Sequence, residues 1–299
     1  MPTLPFATYD VFTDRRFAGN PLAVVFDADR LSDVQMQTIA REFNLSETIF
    51  IRTPADAMHA AAARIFTPGK ELPFAGHPTI GGAIALAERR HGRAVNDVLL
   101  VLEEKIGLVR CAVKVAREGA SFAEFDAPKL AQEAGLAPAD DVVAAALGLA
   151  PDDIGFDRHI PTLYSAGVAY VCVPLASLDA LARAWPTPAA AAEALGATEL
   201  FLYARAEREA AHAFRARMFA PAIGVPEDPA TGSAAASVAG ALARFEGLAD
   251  GWHTLPILQG VEMGRPSLIG LELELAGGKL NAVRIGGQAV KVSEGTIAV

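Results

Sequence analysis

Cysteine is scarce in this chain of 299 residues: there are two, Cys111 and Cys172. Both lie in alternating apolar stretches (GLVRCAVKV and VAYVCVPL), where a thiol acts as a small buried hydrophobe. No disulfide framework and no CxxC pair is expected. The six histidines (His59, His77, His91, His159, His212 and His253) show no i, i+4 pairing with a glutamate, so no metal is expected either. No GxGxxG or GxxxxGK[ST] opens a helix and no GxSxG marks a hydrolase nucleophile, which removes the nucleotide-dependent and serine-hydrolase classes. Positive charge is also short, with 26 Lys and Arg against 35 Asp and Glu and a net charge of −9. The basic residues stand singly and form no stripe for phosphates, so nucleic acid is not an expected partner. No charge-free run reaches the roughly 18 residues a membrane span needs, and the N-terminus lacks the basic start and apolar run of a secretory signal. A cytoplasmic protein without a membrane partner is expected, and the glycosylation-like Asn44-Leu45-Ser46 is then a chance match.

What is present points to a folded, turn-rich protein. The chain is 52% hydrophobic and 20% charged, and 26 glycines and 19 prolines punctuate many short elements. Its length favours two domains of roughly 100 to 200 residues each. An internal repeat gives them their layout. Thr48-Ile49-Phe50-Ile51, then Ala63-Arg64-Ile65-Phe66-Thr67-Pro68, then the Gly76-His77-Pro78-Thr79 turn into GGAIALA form one copy. Glu199-Leu200-Phe201-Leu202, then Ala216-Arg217-Met218-Phe219-Ala220-Pro221, then Ala230-Thr231-Gly232-Ser233 into AAASVAGALA form the other. Upstream, NPLAVVFD before a helix from Ser32 is echoed by GVAYVCVPL before a helix near Leu178. Each copy reads strand, helix, strand, strand, turn, helix.

Local signals sharpen the elements. Ser32 with Gln35 makes a capping box, Asn44 suits a left-handed C-terminal cap, and the apolar Val34, Ile39, Ala40 and Phe43 are expected to share one helical face. In the next helix Pro78 suits the first position, Arg89, Arg90 and His91 the last turn, and Gly92 the stop. Both repeat helices are apolar on nearly every side and rich in Gly and Ala, as expected of helices enclosed by a sheet at close range. The segment 128–151 reads as Ala-rich, helical and linking. The tail reads as a meander with turns at Gly277-Gly278 and Gly286-Gly287. The domains are expected at 1–125, completed by a last strand over 288–299, and at 126–287.

One glycine-containing turn and helix start per copy invites a site made from both. A helix start presents unpaired N–H groups and partial positive charge, which suit a carboxylate and the negative charge that develops when a neighbouring carbon loses a proton. One such end contributes at most about 2 kcal/mol, against a catalytic barrier reduction of about 8 kcal/mol or more. A positioned proton carrier is therefore required. The titratable candidates each have a plainer reading. Glu47 can be a solvated loop glutamate, His77 a structural imidazole kept neutral by the helix start, Asp228 a helix cap ahead of Pro229, and Ser233 a capping hydroxyl.

DVFTDRRFAGNPLAVVFD, NLSETIFI, FTPGKELPFAGHPTIGGAIAL, EDPATGSAAASVAGAL and MGRPS, in this order over nearly the whole chain, resemble the PhzF-like proteins of phenazine biosynthesis. The resemblance implies an α+β fold of two similar domains of the diaminopimelate-epimerase type, each a curved sheet around a central helix, with the active site in the cleft between them. It also implies a cofactor-independent isomerase that moves a proton on a small carboxylate-bearing substrate, and a homodimer. Matched by motif, it makes Glu47 the general acid/base, with His77 and Asp228 catalytic. Ser46, Gly76, Gly232 and Ser233 fall to substrate binding. The related epimerases place opposed cysteines on the two turns; Ala75 and Pro229 stand near those positions, so two-thiol racemisation is not expected. The competing expectation is a binding or interaction protein that retains the fold without turnover.

Overall fold

A computed structural model of the chain describes residues 3–92, 96–186, 199–208, 210–221 and 225–299. The chain divides into two compact units, Met1–Pro128 with Gly286–Val299, and Lys129–Ile285.

In the first unit the order is β1 (Thr3–Val11), β2 (Asn20–Val25), α1 (Asp33–Phe43), β3 (Glu47–Arg52), β4 (Ala61–Phe66), β5 (Glu71–Leu72), α2 (Gly76–His91), β6 (Asn96–Glu104), β7 (Gly107–Val115) and β8 (Ser121–Asp126). The second unit continues with β9 (Gln132–Gly135), α3 (Asp140–Leu147), β10 (Thr162–Ser165), β11 (Ala169–Pro174), α4 (Leu178–Arg183), β12 (Glu199–Arg205), β13 (Phe214–Ala220), β14 (Val225–Asp228), α5 (Gly232–Phe245), β15 (Gly251–Thr254), β16 (Ile257–Gln259) and β17 (Ser267–Ala276). The last strand, β18 (Lys279–Ala298), begins in the second unit and ends in the first.

The first unit's ladder runs β1, β2, β3, β4, β6, β7, β8 and returns through β18 to β1. A sheet closed on itself has no edge, and its inward face must be filled. α2 fills it, with every residue from Gly76 to Glu88 buried. The fit requires glycine: a Cβ on Gly82 would lie 2.8 Å from Cδ1 of Ile49 on β3. In the second unit α5 takes the same part, buried at Gly232 and from Ala234 to Leu242 and packed on β10, β11 and β17. Each unit repeats a parallel pair (β2 with β3, β11 with β12), an antiparallel neighbour (β4, β13), a short hairpin strand (β5, β14) and the enclosed helix.

A shared ion pair fixes the register of the repeat. Arg64 on β4 donates from Nε and Nη2 to Glu71 on β5 at 2.7 and 2.8 Å, and Arg217 on β13 donates from the same atoms to Glu227 on β14 at 2.8 and 3.0 Å. Five residues after each glutamate, at Gly76 and Gly232, the central helix begins.

Four local expectations are corrected. α2 starts at Gly76, so Pro78 is its third residue, a first-turn position at which a missing N–H costs nothing. Val34 is 75% exposed and Met36 fills the place expected for it, because the apolar stripe of α1 is narrow and falls on Met36, Ile39 and Ala40. Helix in 128–151 is confined to α3, and β9 pairs with β10 ahead of it. No turn occurs at Gly286-Gly287: β18 runs through both, and their missing Cβ atoms admit the Phe122 and Phe12 rings. The capping box at Ser32 and Gln35 and the left-handed Asn44 are as read. Among the described residues no helix is long and apolar enough to cross a membrane.

Candidate active site

Glu47 is the first residue of β3. The left-handed Asn44 ends α1, Leu45 and half-buried Ser46 reverse the chain, and Glu47 then pairs in register with Leu22 of β2. It is not a solvated loop residue, since its side chain is only 16% exposed. His77, the second residue of α2 and 4% exposed, presents Nε2 to Glu47 Oε2 at 3.3 Å. Burial pushes the imidazole down to about 3, against a weaker opposing effect of a hydrogen bond to the Pro21 backbone. Proline has no N–H, so the ring must donate to the Pro21 carbonyl. Nε2 makes no well-aligned hydrogen bond, which leaves Nδ1–H as the donor and Nε2 as a lone pair turned towards Glu47. Such a loose, poorly aligned contact is common in catalytic pairs before substrate binds.

The second unit's turn is built differently. Asp228 ends β14 and is not a helix cap: the N-cap of α5 is Thr231, whose hydroxyl donates to Asp228 Oδ2 at 2.5 Å. Gln259, fully buried at the end of β16, closes the turn from below. Its Oε1 accepts from the Thr231 N–H at 3.1 Å, and its Nε2 donates to the Asp228 carbonyl at 2.7 Å and to Thr231 Oγ1 at 3.1 Å. Ser233 is the second residue of α5, the position that His77 holds in α2. Its hydroxyl meets the Tyr170 hydroxyl at 2.8 Å rather than capping the helix. Burial, then the charge of Glu199, holds the Tyr170 phenol well above its ordinary range, so it remains an O–H.

The surface helices α1 and α4 have serine caps, Ser32 and Ser177, whereas α2 and α5 begin after Ala75 and Thr231 with no side-chain cap hydrogen bond. The first-turn N–H groups at Gly76 and Gly232 therefore keep their donor capacity, the property that suits an anion. Among the described residues no three His, Cys, Asp or Glu side chains are grouped to hold a metal ion.

Motif reading singled out Glu47, His77, Asp228 and Ser233 but not Tyr170, Thr231, Gln259 or Glu104, which hold the turns. A signal for two of these was available. In VLLVLEE, period 2 puts Glu104 in the inward phase with Leu100 and Leu102, and in PILQG it puts Gln259 inward with Ile257. A polar residue in that phase needs a buried partner.

Three comparisons with known proteins agree with this architecture. The sequence profile of the PhzC-PhzF family, described as phenazine biosynthesis-like protein, matches residues 9–295. A Mesorhizobium japonicum protein described as an uncharacterized isomerase is 49% identical over 305 residues, covering 100% of each chain. Trans-2,3-dihydro-3-hydroxyanthranilate isomerase of Pseudomonas fluorescens is 38% identical over 296 residues, 98% of this chain and 99% of the relative. The crystal structure of a Bacillus anthracis phenazine biosynthesis protein of the PhzF family superposes with a TM-score of 0.86 at 27% identity, covering 100% of both chains. The chain therefore belongs to the PhzC-PhzF family, has the diaminopimelate-epimerase-like fold and is an isomerase.

Proposed function

We propose that the enzyme moves a proton between carbon atoms of a small carboxylate-bearing substrate without a cofactor, and that Glu47 carries the proton. The observation behind this reading is the Glu47–His77 contact beside the uncapped start of α2. A carboxylate oxygen facing a ring lone pair is repelled, so the pair is favourable when one proton lies between them. The imidazole resists protonation because it is buried, and the carboxyl is left as the carrier. As a carboxylate Glu47 takes a proton from one carbon, the acid so formed is held by the His77 lone pair, and it returns that proton to another carbon, with the Gly76 N–H binding the substrate carboxylate and opposing the negative charge that develops. His77 then orients Glu47 and does not itself titrate. Family resemblance assigns Asp228, Gly232, Ser233 and Ser46 to the same reaction and implies a homodimer.

The test is incubation in heavy water with trans-2,3-dihydro-3-hydroxyanthranilate, the substrate named for the Pseudomonas fluorescens relative, and with a panel of amino and hydroxy acids. Mass spectrometry should show deuterium bound to carbon. Glu47→Gln should lower that incorporation by about 10²–10⁴-fold, the usual contribution of a positioned acid/base. Equal incorporation by the variant would remove Glu47 from the mechanism. No incorporation by wild type on any substrate, together with tight binding of one of them, would favour a binding protein.

A further inference from the structure

Glu104 lies at the end of β6, 7% exposed, under the turn that leads into α2. The repeat gives it a counterpart. Arg64 and Arg217 fix the register of β4 and β13, so Ala61 corresponds to Phe214. Ala61 pairs with Leu102 on β6 and Ala62 with Glu103, while Phe214 pairs with Ile257 on β16, Arg215 with Leu258 and Ala216 with Gln259. One step further along β6, Glu104 occupies the place of Gln259. Gln259 joins the Asp228 carbonyl to the helix cap with an amide. Glu104 meets the first turn of α2 through Thr79, whose Oγ1 lies 2.8 Å from both Glu104 Oε1 and the Ala75 carbonyl.

A hydroxyl has one hydrogen, and here two acceptors. If Thr79 donates to the Ala75 carbonyl, the contact with Glu104 is a hydrogen bond only when Glu104 donates. The other carboxyl oxygen, Oε2, is buried without a hydrogen-bond partner, a place that penalises a negative charge heavily. A protonated carboxyl, like the amide of Gln259, combines a donor with an acceptor, although it has one hydrogen to give where the amide has two.

We propose that Glu104 is the positioning residue of the α2 turn and works there as a neutral acid, the first unit's counterpart of Gln259. Through Thr79 it fixes the Ala75 carbonyl and hence Gly76 and His77. Its neutrality keeps negative charge away from N–H groups that, on the reading of function above, bind a carboxylate. The groups facing it are consistent with this. α2 contributes Thr79 and β7 the Cys111 thiol, while Lys105 in the adjoining turn is engaged with Glu71. Burial pushes the Glu104 carboxyl up to about 8, with Thr79 opposing it weakly.

The experiment follows the backbone amides of Gly76 and His77 by NMR from pH 6 to 9.5 in the full-length wild type, Glu104→Gln and Glu104→Leu, and thermal unfolding of the same proteins from pH 4.5 to 9. Wild-type amides should shift with a midpoint near 8. Glu104→Gln should keep their pH 6 positions and show no titration, and Glu104→Leu should displace them at every pH. For stability, the ordinary carboxyl value of 4.5 applies to the unfolded chain and about 8 to the folded one. Between these the folded state holds a proton that the unfolded state lacks, so wild-type Tm should fall relative to Glu104→Gln as pH rises from 4.5 to 8, then level off. A wild type without the titration, or a titration that persists in Glu104→Gln, would overturn the proposal. The readouts need no substrate, so loss of the Glu47 mechanism in the exchange assay would leave this result standing, and the reverse.

Discussion

A methyl group on Gly287 would overlap the ring of Phe12, which is itself fully buried and held at a left-handed φ of 64°. Neither partner has room to give, so Gly287→Ala should destabilise the protein by about 1–3 kcal/mol, the usual cost of forcing carbon into a packed core. Gly278 makes a useful contrast. It has φ +71° and open space around it, so Gly278→Ala should lose only the left-handed preference, about 1–2 kcal/mol, with no repacking. Denaturant unfolding of the two variants, with Phe12→Leu added to each, separates the effects: the smaller side chain should relieve Gly287→Ala and leave Gly278→Ala unchanged. Equal behaviour of the two would contradict the packing argument. The same residues show why this part of the chain is hard to read: a Gly-Gly pair between alternating stretches has identical local chemistry whether it turns or lets a distant ring approach. Glu47 and His77 stood out through their motifs, but their contact depends on β2 and β3 lying side by side. The role of Glu104 depends on a pairing between β4 and β6 that no local pattern encodes.

At the scale of elements, the Arg217 guanidinium ties three of them together. It is 3% exposed and pairs with Glu227, 7% exposed, while Nη1 donates to the carbonyls of Leu181, Ala182 and Ala184 at 3.0, 3.1 and 2.7 Å, at the end of α4. Arg217→Met would leave a buried carboxylate and three carbonyls without their donor, and should cost about 3–5 kcal/mol. Adding Glu227→Leu should recover part of this, because the stranded charge goes with it. Arg64→Met should cost less, since Arg64 is 18% exposed and its second partner Asp33 lies 79% exposed. Guanidinium unfolding of the four proteins tests the order, and a Glu227→Leu addition that deepens the loss would show that the carboxylate was not the source. The repeat was legible at this scale because the strand, turn and helix signals recur at compatible spacing, and the Arg-bearing strand is part of each copy. What was not legible was set by tertiary partners. The short β9 is a strand because β10 lies beside it, and Ala-rich composition alone favoured helix there. Met36 faces inward because of where α1 meets β3 and β4.

At the scale of the whole molecule, the first unit is closed by residues from the far end of the chain. Its ladder is complete only because β18 lies between β1 and β8, with pairs running from Thr3↔Ala298 to Val11↔Ala289 across one irregularity at Thr8 and Tyr9. Removing residues 286–299 would therefore open two edges at once, one on β1 and one on β8, and expose unpaired N–H and C=O groups along both. It would also uncover the end of α2 at Glu88, whose carboxylate accepts from Tyr9 and Ser121 beside a cavity of about 420 Å3 partly walled by Lys291, Glu294, Gly295 and Thr296. Loss of partners on both sides of the barrel should leave the truncated chain aggregated or unfolded, not merely less stable. A simple loss of yield would not distinguish an open barrel from general damage, but complementation does. A synthetic peptide of residues 286–299 carries the missing ladder and both glycines that admit Phe122 and Phe12. Added during refolding, it should restore soluble protein with native circular dichroism, while the same peptide carrying Gly287→Ala should restore less. A truncated chain that folds unaided, or one rescued equally by both peptides, would show that β18 is an accessory to the barrel and not the strand that closes it.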